Sequence, residues 1–510
     1  MKEINHSSKT IAKGAGIVFI GIIISKLLGF LYRIIIARNS LEQYGILSLA
    51  LAVIGILFTI SLLGLDIGVV RYTSFFKAKQ EFSKVKGIII LSAVTSLIIG
   101  TFLGLILYFF SGYISNNFFH NTKLIPVLKI AAFAIPISSL TILSLGASRA
   151  FQQIKYEVYS KNIVENILKI FLTVLFLFLG LKEIGLISAY VLAALSTLIL
   201  SAYFFINKVF PLFKKIKPEF INKEILAYSF PLLFVNFLAS VIFWTDSFML
   251  GYFKDVLDIG VYNAAQPIAH LIYLFPYALI TLFIPVATGL YVQNKKDEFS
   301  ETFRTTTKWI FMLNLPLLLS FIFFSDEILS ILFGKEYVTG STVLIILSIS
   351  YFFYYLMIAS NHTLIIYKRT KLVAFNSFLG AAINILLNYL LIPIYGLTGA
   401  AVATGISFII IALLYSLESY KITNIFPYKP VYFKIILSTM LPILFLLGAK
   451  FLFNLSNLIL LLVTLSVSVL LYFISLVLTN SFEKEDLMLI NSLGQKTKLK
   501  LNFLLKLISK

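Results

Sequence analysis

Long apolar runs occupy most of the chain, and short polar segments separate them at nearly regular intervals. A helix that crosses a bilayer needs about 20 mostly apolar residues, because the hydrocarbon core contains no water to pair with backbone groups. Runs of about this length occur at residues 14–37, 45–70, 87–110, 125–148, 162–181, 186–206, 225–250, 262–290, 309–332, 341–366, 373–392, 398–416, 435–453 and 457–479. This pattern predicts an all-α, polytopic membrane protein with about fourteen transmembrane helices.

The polar segments between the runs carry unequal shares of positive charge. If the N-terminus is cytoplasmic, the segments on that side contain 32 Lys and Arg residues. The outer loops contain six, namely Arg38, Lys123, Lys182, Lys254, Lys335 and Lys450. Cytoplasmic loops are enriched in Lys and Arg, and one missed helix would invert every later loop. We therefore expect both termini to be cytoplasmic, in a prokaryotic cell membrane. The net charge of +20 then reflects orientation in the bilayer rather than nucleic-acid binding.

The composition excludes several classes of protein. With 59% hydrophobic and 13% charged residues, the chain differs from soluble proteins, which are about half apolar and a quarter charged. It contains no Cys, and therefore no disulfide and no thiolate metal site. No G-x-x-x-x-G-K-[ST], H-E-x-x-H or G-x-S-x-G motif occurs, and the four His residues are scattered. We predict that the chain is not an enzyme and needs no cofactor or metal.

Two pairs of short motifs indicate an internal repeat. The segment Gly45-Ile-Leu-Ser-Leu-Ala50 matches Gly260-Val-Tyr-Asn-Ala-Ala265 at an offset of 215 residues. The segment that begins Gly185-Leu-Ile-Ser-Ala matches one that begins Gly396-Leu-Thr-Gly-Ala at an offset of 211. Six helices thus recur as a second set of six with the same direction through the membrane, which gives a two-fold axis along the membrane normal and two facing lobes.

The repeat divides the chain into four parts. We predict an N-terminal six-helix lobe at 1–207, a C-terminal six-helix lobe at 208–420, and two additional helices at 421–480. A basic cytoplasmic tail follows at 481–510. Within this tail, the last fifteen residues, 496–510, have leucines at helical spacing among lysines. They form either a helix on an anionic membrane surface or a frayed basic end.

The first span contains two cations, Lys26 and Arg33, and no small-residue cleavage site follows it. We interpret it as a true span rather than a signal peptide. The two residues lie seven apart, two helical turns, and so share one face. A charge at the centre of a span costs at least about 2.5 to 3.5 kcal/mol, so such residues face the bundle interior. They could bind a phosphate or pyrophosphate, with Arg33 bidentate, or Arg33 could pair with an acid and Lys26 could extend to the membrane surface.

Three further charges in or beside spans are candidates. Arg71, at the inner end of the second span, either meets phosphates from the cytoplasmic leaflet or anchors the helix, and Asp66 is either its partner or a cation site. Asp246, near the outer end of the seventh span at a depth similar to Arg33, is a gating or coupling candidate, or a local cap. An ion pair between Asp246 and Arg33 that forms in only one state would act as a gate.

Other polar residues within spans have simpler interpretations. His270, in the eighth span, could couple transport to a proton gradient, since imidazole titrates near neutral pH. Glu165 and Lys169 lie four apart on a helix and are expected to neutralise each other. Hydrogen bonding between helices is the expected role of the remaining polar residues. They are Asn236, Asn314, Asn361, His362, Asn384 and Asn388.

In these features the chain resembles the polysaccharide and oligosaccharide flippases of the multidrug/oligosaccharidyl-lipid/polysaccharide exporter (MOP) superfamily. The resemblance rests on the order and spacing of five segments, Ser25-Lys-Leu-Leu-Gly-Phe-Leu-Tyr-Arg33, Glu42-Gln-Tyr-Gly-Ile-Leu-Ser-Leu-Ala50, Gly64-Leu-Asp-Ile-Gly-Val-Val-Arg71, Trp244-Thr-Asp-Ser-Phe-Met-Leu-Gly251 and Gly260-Val-Tyr-Asn-Ala-Ala265. It implies a MATE-like arrangement in which the first, second, seventh and eighth helices line a central cleft. It also implies that Arg33 and Arg71 lie on helices whose arginines serve a pyrophosphate. The eighth span lacks an arginine, which departs from the murein-precursor branch.

The leading hypothesis is a flippase that carries a glycan on a polyprenyl phosphate or pyrophosphate from the inner to the outer leaflet by alternating access. Its partners would be this lipid-linked oligosaccharide, the bilayer and glycan-assembly enzymes of the same pathway. A cation-coupled multidrug exporter of the same fold is the alternative, although its cationic drugs would call for buried acids where the first span has cations. A membrane-embedded glycan polymerase or glycosyltransferase fits less well, because the outer loops are short.

Overall fold

The computed structural model describes residues 21, 23–453, 457–483 and 486. Within these residues the chain is helical and contains no strand. The beginning of the predicted first span and nearly all of the predicted tail, including residues 496–510, lie outside the described part.

Ten α-helices make up the first part of the chain, and three turns of π-helix extend some of them. The α-helices are α1 (23–39), α2 (Leu41–Leu62), α3 (Leu65–Ala78), α4 (Phe82–Tyr113), α5 (Leu124–Ala131), α6 (Ala134–Ala150), α7 (Lys155–Glu157), α8 (Glu165–Phe178), α9 (Lys182–Phe204) and α10 (Asn222–Phe253). The π-helical turns are Ile114–Phe118, Val158–Val164 and Phe205–Val209, and a short 3₁₀ helix covers Pro211–Lys214.

Ten more α-helices follow. They are α11 (Val256–Ala269), α12 (Leu274–Val292), α13 (Lys296–Phe323), α14 (Ser325–Leu332), α15 (Ser341–Leu356), α16 (Ile358–Ile366), α17 (Thr370–Thr423), α18 (Val431–Leu437), α19 (Met440–Leu452) and α20 (Leu458–Leu478). A 3₁₀ turn at His270–Tyr273 links α11 to α12, and a second one, Lys335–Gly340, precedes α15.

These helices confirm the predicted membrane protein. The described residues contain 11 helical segments that are long and apolar enough to cross a membrane. One of them, α17, holds two predicted spans, since Gly396 interrupts it with a backbone φ of 58° that glycine tolerates. The helix α1 and the continuous helical stretch 155–178 supply the other two spans. The prediction of about fourteen spans is therefore confirmed.

The predicted ends of the ninth span were wrong. The apolar run suggested 309–332, whereas α13 covers Lys296–Phe323 and a separate short helix, α14, follows it. Hydropathy detects only residues that prefer lipid, so the polar first three turns of α13 escaped the prediction. The backbone leaves the helical region at Phe324, where φ is −122°, and this ends the span early.

Packing divides the chain into two compact units, 1–263 and 264–510. The boundary falls within α11, between Asn263 and Ala264, rather than near residue 207, so the first unit contains the seventh span and the first half of α11 as well as the first six spans. The predicted lobes rest on the repeat and stay a prediction.

Close helix packing in the first unit depends on glycine. A Cβ on Gly45 would collide with the carbonyl oxygen of Val256, and a Cβ on Gly260 would lie 3.3 Å from the backbone nitrogen of Gly45. A Cβ on Gly55 would collide with the indole of Trp244. Small residues let membrane helices approach at backbone distance. Gly45 and Gly260 are also equivalent positions of the predicted repeat.

Candidate functional site

Arg33 lies half-buried on α1 and contacts two other helices. Its Nη1 atom donates to the hydroxyl of Tyr44 on α2 over 3.2 Å and to the backbone carbonyl of Asn263 on α11 over 3.5 Å. The Tyr44 hydroxyl donates to the same carbonyl over 2.9 Å. One carbonyl thus holds α1 and α2 against the beginning of α11.

The Asn263 carbonyl is available because of a proline. In a regular helix it would accept the backbone N–H of residue 267, but that residue is Pro267, which has none. An unpaired carbonyl inside a bilayer is costly, and neighbouring side chains usually satisfy it. Here Tyr44 and Arg33 do so.

Asp246 is almost fully buried, with 1% of its surface exposed. The hydroxyl of Tyr262 donates to its Oδ2 over 2.5 Å, and the amide of Asn263 donates to the Ser247 hydroxyl over 2.8 Å. Two consecutive residues of α10 are therefore bonded to two consecutive residues of α11. Among the described residues no ion pair joins Arg33 and Asp246.

At the predicted inner end, Asp66 and Arg71 meet different partners instead of each other. The amide of Asn236 on α10 lies 3.3 Å from one carboxylate oxygen of Asp66 and 3.4 Å from the other. Arg71 is exposed, and its guanidinium lies 4.1 Å from the ring centroid of Tyr228. Residues five apart point about 140° away from each other on a helix, which explains why the expected pair does not form.

Lys26 and His270 complete the predicted set. Lys26 is exposed on α1, and its ammonium has no hydrogen bond or ion pair with any described residue. His270 stands in the 3₁₀ turn after α11, in the second unit, with its Nε2 atom 3.0 Å from the hydroxyl of Tyr355. The rings of Tyr273 and Tyr351 lie 5.5 Å from the imidazole, so aromatic side chains surround it.

The predicted role of the remaining polar residues holds for Asn384 but not for Asn314, whose buried amide nitrogen and oxygen have no hydrogen-bond partner among the described residues. Asn384 donates to the Thr404 hydroxyl over 2.9 Å, which joins the two halves of α17, and accepts from Asn388 over 3.2 Å within the first half. Glu165 and Lys169 form the expected pair, with 3.8 Å between charged atoms.

Sequence reasoning missed a cavity of about 330 Å³ inside the first unit. Its wall includes residues from α2, α6, α9, α10 and the helical stretch 155–178. The polar and aromatic members are Thr59, Ser138, Thr141, Lys161, Glu165, Tyr190 and Trp244. Lys161 had been placed in a cytoplasmic segment and Glu165 regarded as neutralised. A turn of π-helix, Val158–Val164, shapes this wall, and nothing in the hydropathy pattern marks such a turn.

The candidate site consists of cationic side chains with unused hydrogen-bond donors and of the polar cavity described above. Arg33 uses only Nη1, and its other N–H groups have no partner among the described residues. The guanidinium of Arg71 lies 4.1 Å from the ring centroid of Tyr228, and Arg71 forms no ion pair with any described residue. No group of three or more His, Asp or Glu side chains within the described part could hold a metal ion.

Comparison with known proteins places the chain in a family. The model of the family described as polysaccharide biosynthesis protein matches residues 11–290, more than half of the chain, and a second model, MatE, matches residues 231–390. The uncharacterized membrane protein MJ1068 of Methanocaldococcus jannaschii is 23% identical over 68% of this chain and 71% of its own length. The probable low-salt glycan biosynthesis flippase Agl15 of Haloferax volcanii is 27% identical over 34% of this chain, and the match covers only 37% of Agl15.

A solved structure shows the same fold. The lipid II flippase MurJ in an inward closed conformation superposes with a TM-score of 0.67 at 20% identity, over 89% of this chain and 97% of MurJ. The all-α, MATE-like fold and the MOP resemblance are thereby confirmed. The chain belongs to the polysaccharide biosynthesis protein family, a group of multi-pass membrane proteins with the MATE-like fold.

Proposed function

We propose that the chain is a flippase for an oligosaccharide linked to a polyprenyl phosphate or pyrophosphate. It carries this lipid from the inner to the outer leaflet of the cell membrane by alternating access, for surface polysaccharide or glycan biosynthesis. The observation that carries the proposal is Arg33, a cation on a membrane-spanning helix whose guanidinium keeps donors free, in a family named for polysaccharide biosynthesis. The flippase names of Agl15 and MurJ support it and agree with a chain that is not an enzyme.

Three cations are assigned to the phosphate. A guanidinium binds phosphate oxygens through two parallel N–H bonds, and Arg33 and Arg71 both keep the donors needed for this. Lys26 adds a point charge on the same helix as Arg33. The exposed position of Arg71 at the predicted cytoplasmic end suits a first contact with the substrate, and Arg33 suits a later one.

Asp246, Asp66 and His270 are assigned to gating or ion coupling. Asp246 is buried against Tyr262, and protonation of its carboxylate or its pairing with a cation would alter the bonds between α10 and α11. Asp66 has an amide but no cation within hydrogen-bond distance among the described residues, which leaves its charge available to a coupling ion. His270 exchanges a hydrogen bond with Tyr355, and that bond changes when the imidazole gains a proton.

A cation-coupled drug exporter is the second candidate, because the MatE model matches residues 231–390. The cations of α1 count against it, since a cationic drug would be repelled by Lys26 and Arg33. A membrane-embedded glycan polymerase is not supported by the relatives or the solved neighbour.

Deletion of the gene separates these functions. A flippase deletion should lose surface glycan and accumulate the lipid-linked glycan on the inner leaflet, with unchanged drug sensitivity. The accumulated lipid is measured by mass spectrometry of membrane extracts, and it also identifies the sugar and the carrier. Normal surface glycan together with altered drug sensitivity would contradict the proposal and favour the exporter.

A further inference from the structure

The cavity of the first unit is lined by polar groups that no protein partner satisfies. The ammonium of Lys161, the hydroxyls of Ser138 and Tyr190 and the indole N–H of Trp244 have no hydrogen-bond partner among the described residues. All four residues are partly exposed at the cavity wall, so these groups are accessible to a ligand. A ligand rich in hydroxyl groups would satisfy these four together.

The backbone around Lys161 is unusual in a way that often marks function. Residues Val158–Val164 form a turn of π-helix, a conformation that is frequent at functional sites. Such a turn widens the helix and displaces backbone carbonyls from their usual donors. The side-chain amide of Asn166 donates to the carbonyls of Asn162 and Lys161 over 2.9 and 3.4 Å and so stabilises the turn.

The charges around the cavity do not cancel. Glu165 lies 3.8 Å from Lys169, and these two residues compensate each other. Lys161 forms no ion pair with any described residue, so one positive charge faces the cavity. An anionic group on a ligand in the cavity would pair with this ammonium.

We propose that this cavity binds one acidic sugar residue of the transported glycan, such as a uronic acid, with its carboxylate on Lys161. The inference rests on the flippase function proposed above and specifies the sugar that the site accepts. A volume of about 330 Å³ is near the lower end for ligand pockets, which suits one sugar ring and not a whole oligosaccharide. The aromatic faces of Trp244 and Tyr190 offer apolar contact to the ring, and the hydroxyl of Ser138 offers a hydrogen bond.

Other ligands fit the wall less well. A lipid tail would leave the ammonium of Lys161 and the hydroxyls of Ser138 and Tyr190 unpaired. A lipophilic cation would be attracted by Glu165. The two positive charges of Lys161 and Lys169 exceed the one negative charge of Glu165 and would repel this cation. The acidic sugar satisfies both the charge and the hydrogen-bonding groups.

Transport of two matched probes by purified full-length protein in liposomes tests the proposal. The probes are polyprenyl pyrophosphate disaccharides with a fluorescent label, one ending in glucuronic acid and the other in glucose, and quenching by external dithionite reports the leaflet. We expect the wild-type protein to move the acidic probe about tenfold faster. Lys161→Met should reduce the ratio of the acidic to the neutral rate to about one, whereas Lys161→Arg should retain the preference.

Two further variants make the test specific. Lys155→Met removes an exposed lysine from the same helical stretch, outside the cavity, and should behave as wild type. Glu165→Gln leaves Lys169 uncompensated and should raise the acidic-to-neutral ratio, a gain that misfolding does not produce. An unchanged ratio in Lys161→Met and Glu165→Gln would overturn the sugar site and leave the flippase function intact. A wild-type protein that moves neither probe would overturn both proposals.

Discussion

The guanidinium of Arg33 makes both of its contacts through one nitrogen, Nη1. Its neighbour Tyr44 forms the shorter bond to the Asn263 carbonyl, 2.9 Å against 3.5 Å. The carbonyl therefore stays paired when the arginine is removed, and the local fold does not depend on Arg33. A variant without Arg33 should therefore lose the proposed substrate binding and keep its stability.

The first prediction follows from this separation. Arg33→Ala should reduce surface glycan about 10- to 100-fold in a complemented deletion strain, because a hydrogen bond to a charged group contributes roughly 1.5 to 3 kcal/mol. Arg33→Lys should be intermediate, since lysine keeps the charge but loses the bidentate geometry. Surface glycan is measured by lectin binding, and the amount of protein in the membrane by immunoblot. Arg369→Ala, at an exposed loop arginine, is the control and should be normal. Normal glycan in the Arg33→Ala strain would remove the role assigned to Arg33.

At the scale of single residues, the sequence indicated which side chains are unusual but not what they contact. The charges of Arg33, Asp66 and Asp246 stood out because a membrane disfavours them. Their partners could not be deduced, since Asn236 lies 170 positions from Asp66 and Asn263 lies 230 positions from Arg33. Lys161 was missed because it stands at the edge of an apolar run, where a lysine is usually an anchor.

The same arrangement occurs in two helices. A proline leaves a backbone carbonyl without its usual N–H donor, and a tyrosine hydroxyl donates a hydrogen bond to that carbonyl. In α11, Pro267 frees the carbonyl of Asn263 for Tyr44. In α13, Pro316 frees the carbonyl of Met312, and the buried hydroxyl of Tyr472 on α20 donates to it over 3.0 Å. In each case a defect in one helix becomes a bond to another helix.

The second prediction compares the proline arrangement in α11 with the one in α13. Pro267→Ala restores a backbone N–H that competes with Tyr44 and Arg33 for the Asn263 carbonyl, so α1 and α2 should be held less firmly to α11. Because the chain contains no Cys, a single introduced Ser48→Cys, buried on α2 one turn from Tyr44, reports this loosening. We expect an impermeant thiol reagent to label it several-fold faster from outside when Pro267→Ala is added.

Pro316→Ala serves as the matched control, because it makes the same change in α13 without touching the Arg33 contacts. It should leave the labelling of Ser48→Cys unchanged. Equal acceleration by the two proline variants would show that helix straightening in general, and not the Asn263 carbonyl, controls access.

At the scale of helices, the apolar runs predicted the number of spans better than their limits. A run records the residues that face lipid, whereas α13 continues through a polar segment that begins at Lys296. Gly396, where α17 kinks, lies in the short gap between the predicted spans 373–392 and 398–416. The π-helical turn at Val158–Val164 had no counterpart in the pattern, because it depends on local hydrogen bonding and not on hydropathy.

Within the second unit, an ionic cluster connects the end of α20 to α13. Lys308, 2% exposed, lies 2.5 Å from a carboxylate oxygen of Asp486 and 2.7 Å from one of Glu483. The indole N–H of Trp309 donates to the other oxygen of Asp486 over 2.8 Å. Lys429 lies 3.0 Å from Glu301 and 3.6 Å from Glu483. Ion pairs as well as packing therefore attach the end of α20 to α13. The paired residues are too far apart in sequence for these contacts to be predicted from it.

The third prediction concerns the stability of this attachment. Lys308→Met leaves the buried Asp486 without its cation, and removal of one partner of a buried pair typically costs about 3 to 5 kcal/mol. The thermal unfolding midpoint in detergent should therefore fall clearly. Lys295→Met breaks an exposed pair with Glu298, worth about 0 to 1 kcal/mol, and should leave the midpoint nearly unchanged. Equal midpoints for the two variants would show that the cluster does not stabilise the fold.

The same cluster sets a pH dependence whose sign can be worked out from Glu483. Burial raises the pKa of this carboxyl, but hydrogen bonds and charges from Lys308 and Lys429 outweigh that effect and hold the pKa below its ordinary value of 4.5. A carboxyl with a lowered pKa in the folded state binds more protons when unfolded, so it stabilises the fold above its ordinary pKa. The contribution should be constant between about pH 7 and 5 and should disappear as the pH falls through the lowered value. In Glu483→Gln the unfolding midpoint should be lower than in wild type at pH 7, and the difference should shrink below about pH 4.5. A difference between the two proteins that persists in acid would assign the stabilisation to packing of the side chain rather than to its charge.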